Sequence, residues 1–261
     1  MAFSLYLALG LFAGVMAGLL GVGGGLIIVP ALVWIFQQQH MTADMTMHLA
    51  IGTSLATIVM TSMSSVYAHQ RRGAVLWPTF WRLTPGIVSG AWLGAVIADM
   101  LPGTVLQMVF AIFVLFMSAQ MAFGTKPAPH RNLPNTPGLL AAGGIIGSIS
   151  AIIGIGGGSL TVPFLSWCNV AMRQTVATSA ACGLPIALAG TIGFIITGSN
   201  EPGLPEWSLG YIYVPALIGI TTTSMLLAPV GAKLAHSLPT TTLKKVFAVF
   251  LALIGIRMLL G

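Results

Sequence analysis

Ten apolar stretches divide the chain, and short polar or turn-rich segments separate them. They cover roughly residues 3–20, 26–36, 47–68, 78–98, 104–123, 138–153, 159–168, 174–197, 210–232 and 241–260. Most are long enough to cross the hydrocarbon core of a bilayer as a helix, which takes about 20 residues. The stretches 26–36 and 159–168 cover only about half of that core at a rise of about 1.5 Å per residue. The pattern predicts an all-α polytopic membrane protein in which these two segments are half-helices or return arms of hairpins.

Each short segment follows a glycine run, and the two runs are copies of one motif. GVGGGLIIVP starts at Gly21 and GIGGGSLTVP starts at Gly154. Aligning residues 14–34 with 147–167 gives nine identities in 21 positions, including the proline of each motif. A glycine run is unfavourable inside a membrane helix, so its duplication indicates a paired break in two helices.

The duplication extends beyond the glycine motif. Residues 94–113 match 231–250 with eleven identities in 20 positions. We therefore expect two transmembrane repeats, 1–123 and 138–261, joined by a cytoplasmic linker over 124–137.

Composition restricts the class of protein further. Only 5% of the residues are charged, 56% are hydrophobic and the mean hydropathy is +0.97. Soluble domains carry roughly 25% charged residues, so this chain has too little charge for a water-facing surface and must contact a lipid bilayer. The net charge of +6 is spread over short loops without a basic, aromatic-rich cluster, which argues against nucleic acid as a partner.

Corresponding loops of the two halves carry opposite charges. The loop with Asp44 corresponds to one with Arg173, and the HQRRG segment at 69–73 corresponds to the loop with Glu201 and Glu206. Because Lys and Arg favour the cytoplasmic side, corresponding loops should face opposite sides of the membrane. The sequence thus predicts two inverted-topology repeats, each made of a glycine-broken helical hairpin and three long transmembrane helices.

With the N- and C-termini outside, this topology explains the basic residues except Arg257. A competing topology treats each glycine-broken pair as one crossing and gives parallel four-span repeats. It would place Lys244 and Lys245 outside and the Glu201–Glu206 loop inside, so we favour the inverted arrangement. Nine basic residues fall on the cytoplasmic side: Arg71, Arg72, Arg82, Lys126, Arg131, Arg173, Lys233, Lys244 and Lys245.

The glycine motifs are the first candidate for a binding site. A half-helix that starts after a glycine break presents unpaired N–H groups and the positive end of its dipole, which together attract anions. The alternative is that the glycines only allow close helix packing, since Gly90 and Gly94 have the same spacing. The candidate residues are Gly21, Gly23, Gly24, Gly25, Gly154, Gly156, Gly157 and Gly158.

Polar residues beside the motifs are the second candidate. Thr53-Ser54 and Thr178-Ser179 are paired across the repeats, and their hydroxyls are suited to donate to substrate oxygens. Bonds to their own helix or to a neighbouring one are the alternative. Arg82, one turn into its span, could attract an anion or extend to the cytoplasmic interface.

No enzyme motif accompanies these features. The chain contains neither H-E-x-x-H, G-x-S-x-G nor a Walker loop, and we expect no cofactor and no bound metal. His48 is interpreted as an interfacial histidine and the two cysteines, Cys168 and Cys182, as buried thiols.

The paired G-[VI]-G-G-G-x-[IL]-x-V-P motifs, one opening each half of the chain, resemble those of the sulfite exporter TauE/SafE family of anion permeases. The Thr-Ser pairs and the Leu-Pro-containing repeat ends do so too. The resemblance implies transport of small sulfur-containing oxyanions, such as sulfite or organosulfonates, across a bacterial-type cytoplasmic membrane. A transporter or channel for another small organic anion, or a membrane subunit of a larger complex, remain alternatives. The sequence leaves substrate, direction, coupling ion and a homo-oligomeric state open.

Overall fold

A computed structural model describes residues 2–20, 24–71, 73–123, 132–235 and 240–260. In these ranges the chain forms ten helices and one short hairpin. They are α1 (Ala2–Leu20), α2 (Gly25–Gln38), α3 (Ala43–Arg71), α4 (Trp77–Asp99), α5 (Gly103–Phe123), α6 (Thr136–Ile153), α7 (Gly158–Trp167), α8 (Met172–Gly198), β1 (Ser208–Leu209), β2 (Ile212–Tyr213), α9 (Val214–Ala235) and α10 (Thr240–Leu260).

Each helix corresponds to one apolar stretch, and the largest differences arise where local polar chemistry decides the end. The stretch from 210 becomes helical only at Val214, because β1 and β2 pair antiparallel around Gly210, which has a φ of +55°. Helix α6 begins at Thr136, inside the expected linker, because the side chain of Asn135 accepts a hydrogen bond of 3.1 Å from the amide of Gly138. Residues 124–131 of that linker lie outside the described residues.

The described helices suit a bilayer. Those long and apolar enough to cross a membrane are α3 from Asp44, α5, α6 and α8. Large apolar side chains remain exposed on the outer faces of other helices too, among them Trp92 on α4 and Leu253 on α10. Such exposure is expected where lipid replaces water as the surrounding solvent. The expected all-α polytopic membrane protein is confirmed, with the small hairpin as an addition.

The two halves of the chain interleave. Helix α1 packs most extensively against α9 of the second half, and α6 packs against α4 of the first. A Cβ atom on Gly90 would overlap the Gly144 carbonyl, and one on Gly94 would lie 2.5 Å from the Ser148 carbonyl oxygen. The Ser148 hydroxyl also donates to the Gly90 carbonyl over 2.9 Å. Gly90 and Gly94 therefore serve close helix packing.

Helices α3 and α8 cross the molecule side by side in opposite directions. Near the start of α3, a Cβ atom on Gly52 would lie 3.3 Å from the Cβ of Phe194, near the end of α8. Farther along α3, Ser62 lies beside Gly183, which is nearer the start of α8, with a corresponding distance of 3.2 Å. Residue numbers along α3 therefore increase while those of the contacting residues on α8 decrease, so the two helices are antiparallel.

Helices α5 and α10 are related in the same way. The Gln107 side chain, early in α5, donates to the carbonyl of Met258, late in α10, over 2.8 Å. The Ser118 hydroxyl, later in α5, donates to the Ala248 carbonyl over 2.7 Å. Within each of these two pairs, α3–α8 and α5–α10, the helices therefore run antiparallel.

The α4–α6 contact gives a test of the packing. We expect Gly90→Ala to lower the free energy of unfolding by about 1–3 kcal/mol, because its methyl group overlaps the backbone of α6. Gly144→Ala is the matched control in the same helix pair, since its Cβ would meet nothing nearer than the Gly86 carbonyl oxygen at 3.9 Å. Thermal unfolding in detergent measures both. Equal midpoints for the two variants would contradict the close packing.

Candidate anion-binding site at the paired glycine motifs

Helices α2 and α7 begin in the same way. The residue before α2 is Gly24, with φ −55° and ψ −2°, and the residue before α7 is Gly157, with φ −59° and ψ −20°. No side chain caps either start. The first N–H groups of a helix have no partner within the helix, and both starts are buried. Each motif thus presents an uncapped helix start inside the protein.

The start of α2 lies against the loop that leads into α7. A Cβ atom on Gly25, the first residue of α2, would lie 2.5 Å from the carbonyl oxygen of Gly154 and 2.9 Å from the Cα of Ile155. The Ser54 hydroxyl of α3 donates to the same Gly154 carbonyl over 2.8 Å. The first motif therefore contacts the first residue of the second motif, Gly154, three residues before the cap of α7. The other two glycines of the first motif, Gly21 and Gly23, lie outside the described residues.

Gly154 has a conformation that other residues rarely adopt. Its φ is +76°, and its amide donates to the Ser150 carbonyl over 2.9 Å, which closes the end of α6. A Cβ atom here would lie 3.0 Å from the Cα of Ile51 and 3.1 Å from a methyl group of Val29. Glycine is required at this point for its conformation and for the close approach of α2 and α3.

The remaining glycines of the second motif differ in how closely they are surrounded. A Cβ atom on Gly157 would lie 2.9 Å from both the Ser179 carbonyl oxygen and the Gly183 amide nitrogen, on the backbone of α8. Gly156 faces only a methyl group of Ile58, at 3.4 Å. Gly158, the first residue of α7, is partly buried. The start of α7 is thus placed by α8 on one side and approached by α3 on the other.

The threonines of the two Thr-Ser pairs join the halves. The Thr53 hydroxyl accepts a bond of 2.9 Å from the Tyr213 amide, just before α9. The Thr178 hydroxyl accepts one of 3.0 Å from the Leu76 amide, just before α4. Both threonines are fully buried. Each hydroxyl therefore satisfies a backbone N–H of the other half, a contact between helices that the sequence left as the alternative.

The serines are placed differently from each other. Ser54 donates its proton to Gly154, so its oxygen is left as an acceptor. Ser179 is 1% exposed, and its hydroxyl has no hydrogen-bond partner within the described part of the chain. The residue matching Gly154 in the other repeat is Gly21, outside the described residues. Both serines lie beside the glycine motifs.

Arg82 lies elsewhere. Its side chain is exposed on α4, next to Trp81, which is 64% exposed, whereas the glycine motifs are buried. The structure does not bring this cation together with the other candidate residues.

Two buried hydroxyls were missed. Ser159 and Thr161 lie in the first turns of α7, and neither has a hydrogen-bond partner among the described residues. A signal was present, because these hydroxyls stand where the first motif has Leu26 and Ile28.

His48 is buried near the start of α3. Its Nδ1 lies 2.9 Å from the Asp44 carbonyl oxygen and its Nε2 lies 3.0 Å from that of Ala98. Its ring stacks on Tyr211, whose hydroxyl donates to the Asp99 carboxylate over 3.0 Å. The pKa of the Tyr211 phenol is raised mainly by burial and secondly by the hydrogen bond to Asp99, so the hydroxyl keeps its proton and remains a donor. These contacts bring the start of α3, the end of α4 and the hairpin to one end of the molecule.

Arg257, the exception in the charge pattern, lines a cavity beside α2. The cavity measures about 250 Å³ and lies between α1, α2, α5 and α10. Ile27 and Pro30, in the first turns of α2, contribute to its wall with Gln37.

In the described part of the chain no group of three or more His, Cys, Asp or Glu side chains is arranged to hold a metal ion.

A sequence profile of the sulfite exporter TauE/SafE family matches residues 6–258, which include both glycine motifs. The chain belongs to the sulfite exporter TauE/SafE family. It is 38% identical to a probable membrane transporter protein of Haemophilus influenzae, over 98% of this chain and 97% of that one. It is 26% identical to the probable membrane transporter protein YunE of Bacillus subtilis, over 99% and 98%. No solved structure matches the chain. This TauE/SafE protein is therefore a multi-pass membrane transporter.

The second glycine motif of this TauE/SafE protein provides a matched pair of variants. We expect Gly157→Ala to lower the free energy of unfolding by about 1–3 kcal/mol, because its methyl group presses on the backbone of α8. The methyl group of Gly156→Ala would meet only a methyl group of Ile58, so this variant should change the free energy of unfolding by less than about 0.5 kcal/mol. Thermal unfolding in detergent compares them. A larger loss for Gly156→Ala would show that the start of α7 is not held against α8.

Proposed function

We propose that this protein is a secondary transporter for small sulfur-containing oxyanions, such as sulfite or organosulfonates. Its site lies between the starts of α2 and α7 at the midplane of the membrane. The observation that carries this proposal is the contact between the buried, uncapped start of α2 and the loop that leads into the equally uncapped start of α7, where Gly25 packs on Gly154. The family name points to the same class of substrate.

The chemistry of two helix starts suits an oxyanion that must also be released. Backbone N–H groups and the helix dipole attract negative charge without placing a cation in the membrane. A hydrogen bond to a charged group contributes about 1.5–3 kcal/mol. Three such bonds total about 4.5–9 kcal/mol, from which the entropic cost of association is subtracted, so the anion is held weakly enough to be released. Sulfite and sulfonate groups carry three oxygens and accept several bonds at once.

The two halves form inverted-topology repeats in this proposal. The antiparallel pairs α3–α8 and α5–α10 support it, since equivalent helices of parallel repeats would run the same way. The matched bonds of Thr53 and Thr178 to the opposite half support the repeat itself. So do the ends of α2 and α7, which pass through His40 and Asn169 with φ values of +56° and +59°.

The bond between Tyr211 and Asp99 argues against the competing topology. Parallel four-span repeats would place the loop after α8 and the end of α4 on opposite sides of the membrane. Instead Tyr211 bonds to Asp99 directly. In the inverted topology the loop after α8 and the end of α4 both lie on the outer side of the cytoplasmic membrane, as do the N- and C-termini.

Alternating access follows from this arrangement. An anion between α2 and α7 needs the contact between Gly25 and Gly154 to loosen, because the two backbones now touch. The pairs α1–α9 and α4–α6 each combine one helix from each half, so each pair can move as a unit. Rocking of one such unit against the other would then open the site to each side in turn.

Uptake into proteoliposomes tests the substrate class. We expect saturable uptake of sulfite or of a small sulfonate, and counter-transport on addition of unlabelled substrate to the other side. Acetate and other small carboxylates should compete poorly. Non-saturating flux would indicate a channel instead. No flux from the pure protein, with flux restored by a co-purifying chain, would indicate a subunit of a larger complex.

Labelling of introduced cysteines tests the topology. Glu206 and Arg71 are both exposed, whereas Cys168 and Cys182 are buried. We expect Glu206→Cys to react with an impermeant maleimide from outside intact cells, and Arg71→Cys to react only after the membrane is opened. Reaction of both from the same side would contradict the inverted arrangement.

A further inference from the structure

The two helix starts are alike in backbone but differ in side chains. The second and fourth residues of α7 are Ser159 and Thr161, and the same positions of α2 hold Leu26 and Ile28. All four side chains are buried, with at most 2% of their surface exposed. The repeat therefore preserves the glycines and the proline and changes the polarity of the first turn.

The two hydroxyls of α7 are unpaired in the described structure. Ser159 Oγ and Thr161 Oγ1 are buried without a hydrogen-bond partner among the described residues. Buried hydroxyls are nearly always bonded, because leaving one unpaired destabilises the protein. Helical Cα–Cβ bonds tilt towards the helix start, so both side chains lean towards the uncapped N–H groups of α7. Because Ser159 and Thr161 are two residues apart in a helix of 3.6 residues per turn, their side chains lie on different sides of α7.

The surroundings of α2 are apolar by contrast. Leu26 and Ile28 belong to the main hydrophobic core together with Ile51 and Ile155. An inorganic anion, which is polar on every side, would lose its hydration against these side chains without gaining hydrogen bonds. A hydrocarbon group would gain by the same burial.

We infer that the site is polarised: the start of α7, with Ser159 and Thr161, binds the charged oxygens of the substrate, and the first turn of α2 contacts its hydrocarbon part. The preferred substrate is then an organosulfonate with a short alkyl group rather than sulfite. This inference rests on the proposed function and deepens it. Ser159 and Thr161 are substrate-binding residues, and Leu26 determines specificity.

A ladder of ligands tests the preference in the wild-type protein. Sulfite, methanesulfonate, ethanesulfonate and propanesulfonate compete for uptake into proteoliposomes. We expect the inhibition constant to fall about three- to fourfold for each added methylene until the space is filled. Sulfite binding as tightly as ethanesulfonate would overturn the polarised site and leave the proposed function intact. Absence of uptake or competition by all four would overturn the proposed function itself.

Variants of α7 separate a binding hydroxyl from a structural one. Ser159→Ala removes an unpaired buried hydroxyl, so the ligand-free protein should melt at the same or a higher temperature in detergent. Binding of ethanesulfonate should weaken about tenfold. Thr161→Val should act in the same direction. Ser166→Ala is the control at the far end of α7, where the hydroxyl donates to Met172 Sδ, and should leave binding unchanged.

The outcomes differ in sign. A lower melting temperature with unchanged binding in Ser159→Ala would assign the hydroxyl to structure and overturn the inference.

Leu26→Ala should weaken the binding of ethanesulfonate several-fold more than that of sulfite, since it removes apolar contact only. Equal losses for both ligands, in a variant that still folds, would contradict the role of α2.

Discussion

A helix that begins inside a bilayer must find partners for its first N–H groups, because no water is present there to supply them. Helices α2 and α7 both begin at buried positions, after glycines, and no side chain caps them. The chain places the start of one against the loop that leads into the other, through Gly25 and Gly154. Most other features of the protein can be understood from this contact. In the proposed site an anion would satisfy these unpaired donors.

Close approach of backbones is the second consequence. Gly25, Gly154 and Gly157 each face backbone atoms of another segment at distances that exclude a side chain. The same is true of Gly90 against α6. Backbone atoms cannot move aside as the end of a side chain can, so these contacts fix the relative positions of the helices. They also explain why the halves interleave: α6 fits against α4, and α1 against α9, only where small residues line the contact.

The site shows where reasoning from sequence stops. The Thr-Ser pairs follow the glycine motifs in both halves, which makes them possible donors to a substrate. In the structure Thr53 and Thr178 accept bonds from the amides of Tyr213 and Leu76, which lie far away along the chain. Arg82 was a candidate for its charge, but it faces outward. Conversely, the sequence does not single out Ser159 and Thr161, because they lie inside a motif defined by its glycines. Their burial without a hydrogen-bond partner among the described residues is visible only in the structure.

The sequence by itself determined the membrane class, the ten apolar segments, the repeated glycine motif and the family. These depend on hydropathy and residue type, which act within one segment and so can be read along the chain. The opposite charges of matching loops also predict an inverted arrangement before any contact is known. Only the tertiary structure decided which glycines touch, that α3 and α8 lie antiparallel, and that Ser54 bonds to Gly154, 100 residues away. The physical reason is that a hydrogen bond or a close backbone contact depends on what folding brings alongside, and the chain carries no local record of that neighbour.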